Sequence, residues 1–247
     1  QLIAGGCCIF YGLKRYPVLR IGRRHLKWNF SFAWKHLKVG LPMALQFSIT
    51  AIGIMVVQAV LNEMGTMTVA AYTAASKIDS IAQQPFLAMG AAIATYCAQN
   101  YGAHRFDRIK RGMKVGLLLT VIISVVAFVL VFALKIPLLK LFSDDYASIQ
   151  KDATIYLYLS SGTYFFLGLI HLYRNGIQGM GFSAVTMLSG LTELVMRVVA
   201  ALVFANFWGF IGVCSANPAA WFGAAVILLV IYLYLYKKRI APAAKRQ

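Results

Sequence analysis

Acid is what this sequence lacks most. It has seven Asp and Glu residues against 24 Lys and Arg, and charged residues make up only 13% of its 247 positions. Soluble domains carry about a quarter charged residues, so an ordinary water-soluble fold is excluded. Cysteine is sparse and scattered: Cys7, Cys8, Cys97 and Cys214 form no CxxC pair. The four histidines (His25, His36, His104, His171) form no HExxH or HxH arrangement. No metal site and no cofactor is therefore expected. The apolar segments hold no convergent His/Asp or Ser/Lys set, so neither a catalytic residue nor an enzyme is expected. A net charge of +17 would suggest nucleic acid on a soluble chain. With no basic helix outside the apolar segments and no aromatic-interleaved basic strand, no nucleic-acid partner is expected.

What the chain has is long apolar sequence, with 60% hydrophobic residues and a mean hydropathy of +0.72. A bilayer-spanning helix needs about 20 mainly apolar residues. Six stretches qualify: Val39–Met64, Met67–Cys97, Val115–Leu134, Ala153–Arg174, Ala184–Trp208 and Ile211–Tyr236. The expected fold is an all-α integral membrane six-helix bundle spanning residues 39–239. An earlier apolar run, Leu2–Leu13, is about half a bilayer deep at helical rise and lacks a signal peptide's flanks. Residues 1–13 are expected to be the end of a truncated transmembrane helix.

The cations fix an orientation. Nineteen Lys and Arg residues lie in 14–38, in 105–114, at Arg174 and in 237–246, whereas Lys135, Lys140 and Lys151 fall on the opposite side. The positive-inside rule then predicts both ends of the chain in the cytoplasm; the expected location is the cell (inner) membrane. Residues 14–38, with Trp28, Phe30, Phe32 and Trp34 among the cations, suit a linker lying along the lipid headgroups. Residues 240–247 read as a cytoplasmic tail, and 135–152 as an external solvated loop.

Ionisable groups at bilayer depth are costly, about 2.5–3.5 kcal/mol each on insertion scales. Lys77, Asp79, Glu193 and Arg197 are such groups. Glu193 and Arg197 are four apart, on one helix face and able to pair with each other. Lys77 and Asp79 point in different directions and need partners elsewhere. Gln83 one turn on from Asp79, with Pro85 beyond it, continues a polar and distorted stretch where a cavity could lie. Gln46, Thr50 and Gln58 on the first span fit helix–helix hydrogen bonding, and Tyr72 and Tyr164 could wall a site for a lipophilic molecule. Ala70, Ala71, Ala74 and Ala75 form a small-residue face for close helix contact. Asn175–Gly181 reads as a glycine-punctuated turn, and Asn217-Pro218 as a kink.

Three segments carry a resemblance: GLPMALQ (40–46), CAQNYGAHRFDRIKRGMKVG (97–116) and RNGIQGMGFSAVTMLSGLTELVMR (174–197). They resemble the C-terminal half of multidrug and toxic-compound extrusion (MATE) transporters, and 14–38 corresponds to the connection between lobes. The resemblance implies one lobe of a twelve-helix transporter that exports cationic or lipophilic small molecules in exchange for Na⁺ or H⁺. It also implies a partner lobe N-terminal to this one. One branch of that family places acidic coupling residues within the first and fourth helices of this lobe. Val39–Asn62 and Ala153–Arg174 hold none, so the chain resembles the branch coupled through its N-terminal lobe. The substrate-cavity and coupling candidates here are Asp79, Lys77, Gln83, Glu193, Arg197, Gln46 and Tyr164. The alternatives are a lipid-linked oligosaccharide flippase-type transporter, which would need several cations in its cavity, and a non-transporting membrane subunit.

Orientation is testable with single cysteines at His104 and Asp145, the four native cysteines being replaced by serine. An impermeant maleimide added to intact cells is expected to label position 145 and spare 104. The reverse pattern contradicts the inside-positive assignment.

Overall fold

The computed structural model describes residues 2–17, 29–143 and 145–240. The chain divides into two units, residues 1–38 and 39–247. In the first, α1 (Leu2–Arg15) buries none of its residues. Residues 18–28 of the basic linker 14–38, Asp144 and the tail from 241 lie outside the described residues.

The second unit holds the bundle. The helices are α2 (Phe30–Asn62, in this unit from Val39), α3 (Thr66–Ala82), α4 (Gln84–Gly102), α5 (Phe106–Phe142), α6 (Tyr146–Ser161), α7 (Tyr164–Gly179) and α8 (Ser183–Val199). A π-helical turn, Ala200–Phe204, leads into α9 (Ala205–Trp208), followed by α10 (Phe210–Cys214), α11 (Ala216–Leu235) and a second π-helical turn, Tyr236–Ile240. Among the described residues, four helical stretches are individually long and apolar enough to cross a membrane, and α6 with α7, bent by 45°, makes a fifth if the pair is one span. The remaining expected span, α3–α4, falls outside this set because Lys77, Asp79, Gln83 and Gln84 dilute its hydropathy. It packs instead against α5, α6 and α7, where polar side chains find protein partners rather than lipid.

Each break follows local chemistry. Between α3 and α4 the helix stops at Gln83, because Pro85 has no amide hydrogen and is tolerated only in a first turn. Between α6 and α7, Gly162 and Thr163 interrupt the ladder, and the Thr163 hydroxyl bonds back to the carbonyls of Leu159 and Ser160 at 3.0 and 2.9 Å. Side-chain competition of this kind bends membrane helices. The break expected at Asn217-Pro218 falls earlier, at Ser215, because Pro218 sits in the first turn of α11. Gly209, at φ 54°, makes the sharp turn between α9 and α10 that an L side chain would resist.

Two loops expected from sequence are helix. α5 continues through Pro137 to Phe142 and α6 begins at Tyr146, so most of the loop expected over 135–152 is helical. Lys135 lies 4.3 Å from the Phe132 ring and 4.4 Å from that of Tyr158, which accommodates its charge beside an apolar helix. Of the turn expected over Asn175–Gly181, residues 175–179 stay helical in α7 because their glycines serve packing, and the turn itself falls at Met180–Gly181, with Gly181 at φ 89°. A Cβ at Gly179 would overlap the backbone carbonyl of Ala94, and one at Gly90 would come within 2.6 Å of Asn175 Nδ2. These small residues bring α4 and α7 close together.

α5 shows which side faces lipid. Gly116, Thr120, Ser124, Ala127 and Val131 are buried at helical spacing, while Leu118, Ile122, Val125, Val129 and Phe132 are exposed. Large side chains point outward and small ones inward, as suits a bilayer, where lipid tails solvate Leu and Phe as well as a core does. Both inward hydroxyls donate to their own helix, Thr120 to Gly116 O at 2.8 Å and Ser124 to Thr120 O at 2.7 Å.

Gly179→Ala is expected to lower the detergent melting midpoint, since overpacking against backbone costs about 1–3 kcal/mol. Gly40→Ala has open space around it and is expected to leave the midpoint level or raise it. Equal midpoints for the two variants contradict the close α4–α7 contact.

Candidate functional site

A concave cavity of about 420 Å³ opens in the second unit, lined from α2, α3, α4, α6, α7, α8 and α11. It collects Asp79, His171, Arg174, Glu193 and Arg197 in one place. Gln83, at the α3–α4 break, is part of the lining.

Asp79 is 2% exposed. Its Oδ1 accepts a hydrogen bond from Tyr164 Oη at 2.6 Å. Its Oδ2 accepts one from Tyr156 Oη at 3.0 Å and one from Gln83 Nε2 at 2.7 Å. Tyr156 and Tyr164 flank the α6–α7 break, and Gln83 is the residue at the α3–α4 break. Hydrogen bonds to a charged group contribute about 1.5–3 kcal/mol each, so three together offset much of the desolvation cost of one carboxylate. No cation lies within ion-pair distance of Asp79 among the described residues. The chain of bonds continues from Asn217 Nδ2 to Tyr156 Oη at 3.4 Å and from Arg197 Nε to Asn217 Oδ1 at 3.2 Å. Asp79 and Arg197 are thus joined through two neutral side chains.

Glu193 and Arg197 do share a helix face, but Glu193 forms its ion pair with Arg174. Arg174 is not a headgroup cation as its place in the sequence suggested. It projects inward, with its side chain 14% exposed, and its Nη2 also donates to Ser189 Oγ at 3.2 Å. Arg197 turns away from Glu193 and across α2, its Nη1 reaching the carbonyl of Thr50 at 3.3 Å. Gly53 makes this approach possible: a Cβ there would sit 3.1 Å from Arg197 Nη1.

The other candidates separate. Asp79, Gln83, Glu193 and Arg197 line the cavity, and Tyr164 touches Asp79 from a fully buried position. Gln46 lies outside the lining, in a seam with Gln178, Thr186 and Ser189: Gln178 Nε2 donates to Gln46 Oε1 at 3.0 Å, and Gln46 Nε2 to Ser189 Oγ at 3.3 Å. That is helix–helix bonding between α2, α7 and α8. Lys77 is exposed, 5.9 Å from the Phe142 ring and outside the cavity lining. Arg174, Asn217, Tyr156 and His171 were not among the candidates. Only the i,i+8 spacing of Tyr156 and Tyr164 around a glycine pointed to their shared side. Among the described residues no cluster of metal-binding side chains is present.

The fold is shared with known transporters. A MATE transporter of Vibrio cholerae, VcmN, superposes with a TM-score of 0.84 at 16% identity, over 96% of this chain and 54% of its own. A MOP superfamily transporter from Pyrococcus furiosus superposes at 0.81 and 20% identity, over 98% and 54%. The probable multidrug resistance protein YoeA of Bacillus subtilis is 24% identical over 88% of this chain and 47% of its own length. The MatE family profile matches residues 42–203. The chain belongs to the MatE family and is a multi-pass membrane protein. It spans about half the length of the curated relatives it matches.

The Arg174–Glu193 pair yields a stability test. Glu193→Gln or Arg174→Met alone leaves a buried charge uncompensated and is expected to cost about 3–5 kcal/mol, whereas the double replacement is expected to be much milder. Double-variant melts as poor as those of the singles contradict the pairing.

Proposed function

We propose that the chain forms one six-helix lobe of a secondary multidrug efflux antiporter, and that its cavity is one wall of the transport site. Residues 14–38 connect it to a second six-helix lobe supplying the facing wall. Both ends of the chain face the cytoplasm, and the whole lies in the cell (inner) membrane. The coverage of about half of each relative supports the division into lobes. Lipophilic or cationic small molecules leave in exchange for Na⁺ or H⁺ by alternating access.

The observation carrying this reading is Asp79: a carboxylate 2% exposed, at a helix break, held by neutral donors alone. A carboxylate without a cation partner can take up H⁺ or Na⁺ without breaking an ion pair. Uptake would displace donors from α6 and α7, so occupancy of Asp79 is linked to the angle between those helices. Broken helices around a mid-membrane site are a recurring means of coupling in secondary transporters. Trp221, 6.3 Å from Tyr164 between ring centroids, and Tyr72, 4.7 Å from Tyr156, give the cavity aromatic faces suited to flat lipophilic molecules.

The flippase-type reading needs several free cations. The cavity holds Arg174 and Arg197 but not Lys77, and Arg174 is paired. Efflux is therefore preferred.

In cells expressing the transporter containing this chain, ethidium accumulation is expected to fall only while an ion gradient is present. Asp79→Asn is expected to weaken that export severalfold at normal protein levels. Export that survives collapse of both the Na⁺ and H⁺ gradients removes the antiport reading, and wild-type export by Asp79→Asn returns Asp79 to a structural role.

A further inference from the structure

Two guanidinium groups in the cavity share one carboxylate. Arg174 is paired with Glu193, and its Nε is buried with no hydrogen-bond partner. Arg197, 3% exposed, spends Nε on the amide oxygen of Asn217 and Nη1 on the backbone oxygen of Thr50. Among the described residues its Nη2 makes no hydrogen bond, and no carboxylate lies within ion-pair distance of it. Asp79 is not in contact with it: Asn217 and Tyr156 stand between them. Glu193 therefore pairs with one of the two guanidinium groups, and Arg197 is left buried without an ion-pair partner of its own, an arrangement that a ligand carboxylate completes.

We propose that Arg197, with Arg174 beside it, forms an anion subsite in this cavity, taking the carboxylate of an amphipathic small molecule. The planar guanidinium fork matches a carboxylate. Leu167, Ile170 and Trp221 on the same lining supply apolar surface for the rest of such a ligand. With Asp79 on the far side of the Asn217–Tyr156 bridge, the wall presents a positive and a negative group at separate points. A zwitterion therefore fits it better than a simple cation does. The subsite rests on this cavity being the transport site proposed above.

The test uses a rhodamine bearing a free carboxylate and its methyl ester, which differ in that one charge. Binding of each to the purified transporter containing this chain is followed by fluorescence anisotropy, with export from cells measured separately. The carboxylate dye is expected to bind about tenfold tighter than the ester or more, as one charge-assisted hydrogen bond supplies. Arg197→Gln is expected to bring the ratio close to one. Excess benzoate is expected to displace the carboxylate dye from the unmodified protein, a measurement that needs no variant to fold. Equal binding of the two dyes, a ratio unchanged in Arg197→Gln, or failure of benzoate to compete overturns the subsite. Carboxylate-selective binding without export leaves the subsite standing and removes the efflux reading. Export without that selectivity does the opposite.

Discussion

The carboxylate of Asp79 organises the bundle. A bare carboxylate at bilayer depth is untenable, so wherever α3 places Asp79, donors must be brought to it. They come from both sides of one helix break and from the residue at another: Tyr156 and Tyr164 around Gly162–Thr163, and Gln83 ahead of Pro85. The two tyrosines reach Asp79 from either side of the 45° bend between α6 and α7. The two tyrosine bonds thus tie α3 to α6 and to α7, while the Gln83 bond stays within the end of α3. The same side chains close the back of the cavity.

The rest of the packing supports that arrangement. On one side α4 and α7 meet through Gly90, Ala94 and Gly179 with almost no side chain between them, which leaves little freedom for sliding. On the other side α2 is attached by polar bonds, through Gln46 to α7 and α8 and through the Thr50 carbonyl to Arg197. A small apolar cluster of Val57 and Leu61 with Ala200, Ala201, Val213 and Ala216 completes that attachment. Contacts made of a few hydrogen bonds can exchange partners at low cost, whereas interlocked backbone cannot. The cavity is therefore bordered by one rigid wall and one adjustable wall.

Much of the architecture was legible because hydropathy and charge act on whole segments. The apolar runs from Val39 to Tyr236 correspond to helices, and the polar interruption around Gln83 marks a break. Individual partners were less legible. Glu193 and Arg197 are one turn apart, yet the pair that forms is Glu193–Arg174, because Gly53 opens a slot that takes Arg197 toward α2. Arg174 looked like a loop cation since glycines follow it. Those glycines are helical, because they pack against Ala94 and Met113, and this carries Arg174 inward. Spacing along one helix decides which residues share a face, but burial by neighbouring helices decides which of them pair. Asp79 was the reverse case: its lack of a local partner pointed to donors on other helices, and these are what the fold supplies.

Cysteine protection tests most directly whether substrate sits on the wall bearing Asp79 and Arg197. Ser76 lines the cavity, one turn before Asp79 side by side with Tyr72, while Ser80 on the same helix is exposed outside the lining. With a cysteine at each position in turn, ethidium is expected to slow maleimide labelling at 76 severalfold and leave labelling at 80 unchanged. Equal rates at both positions with and without ethidium contradict a substrate site on this wall.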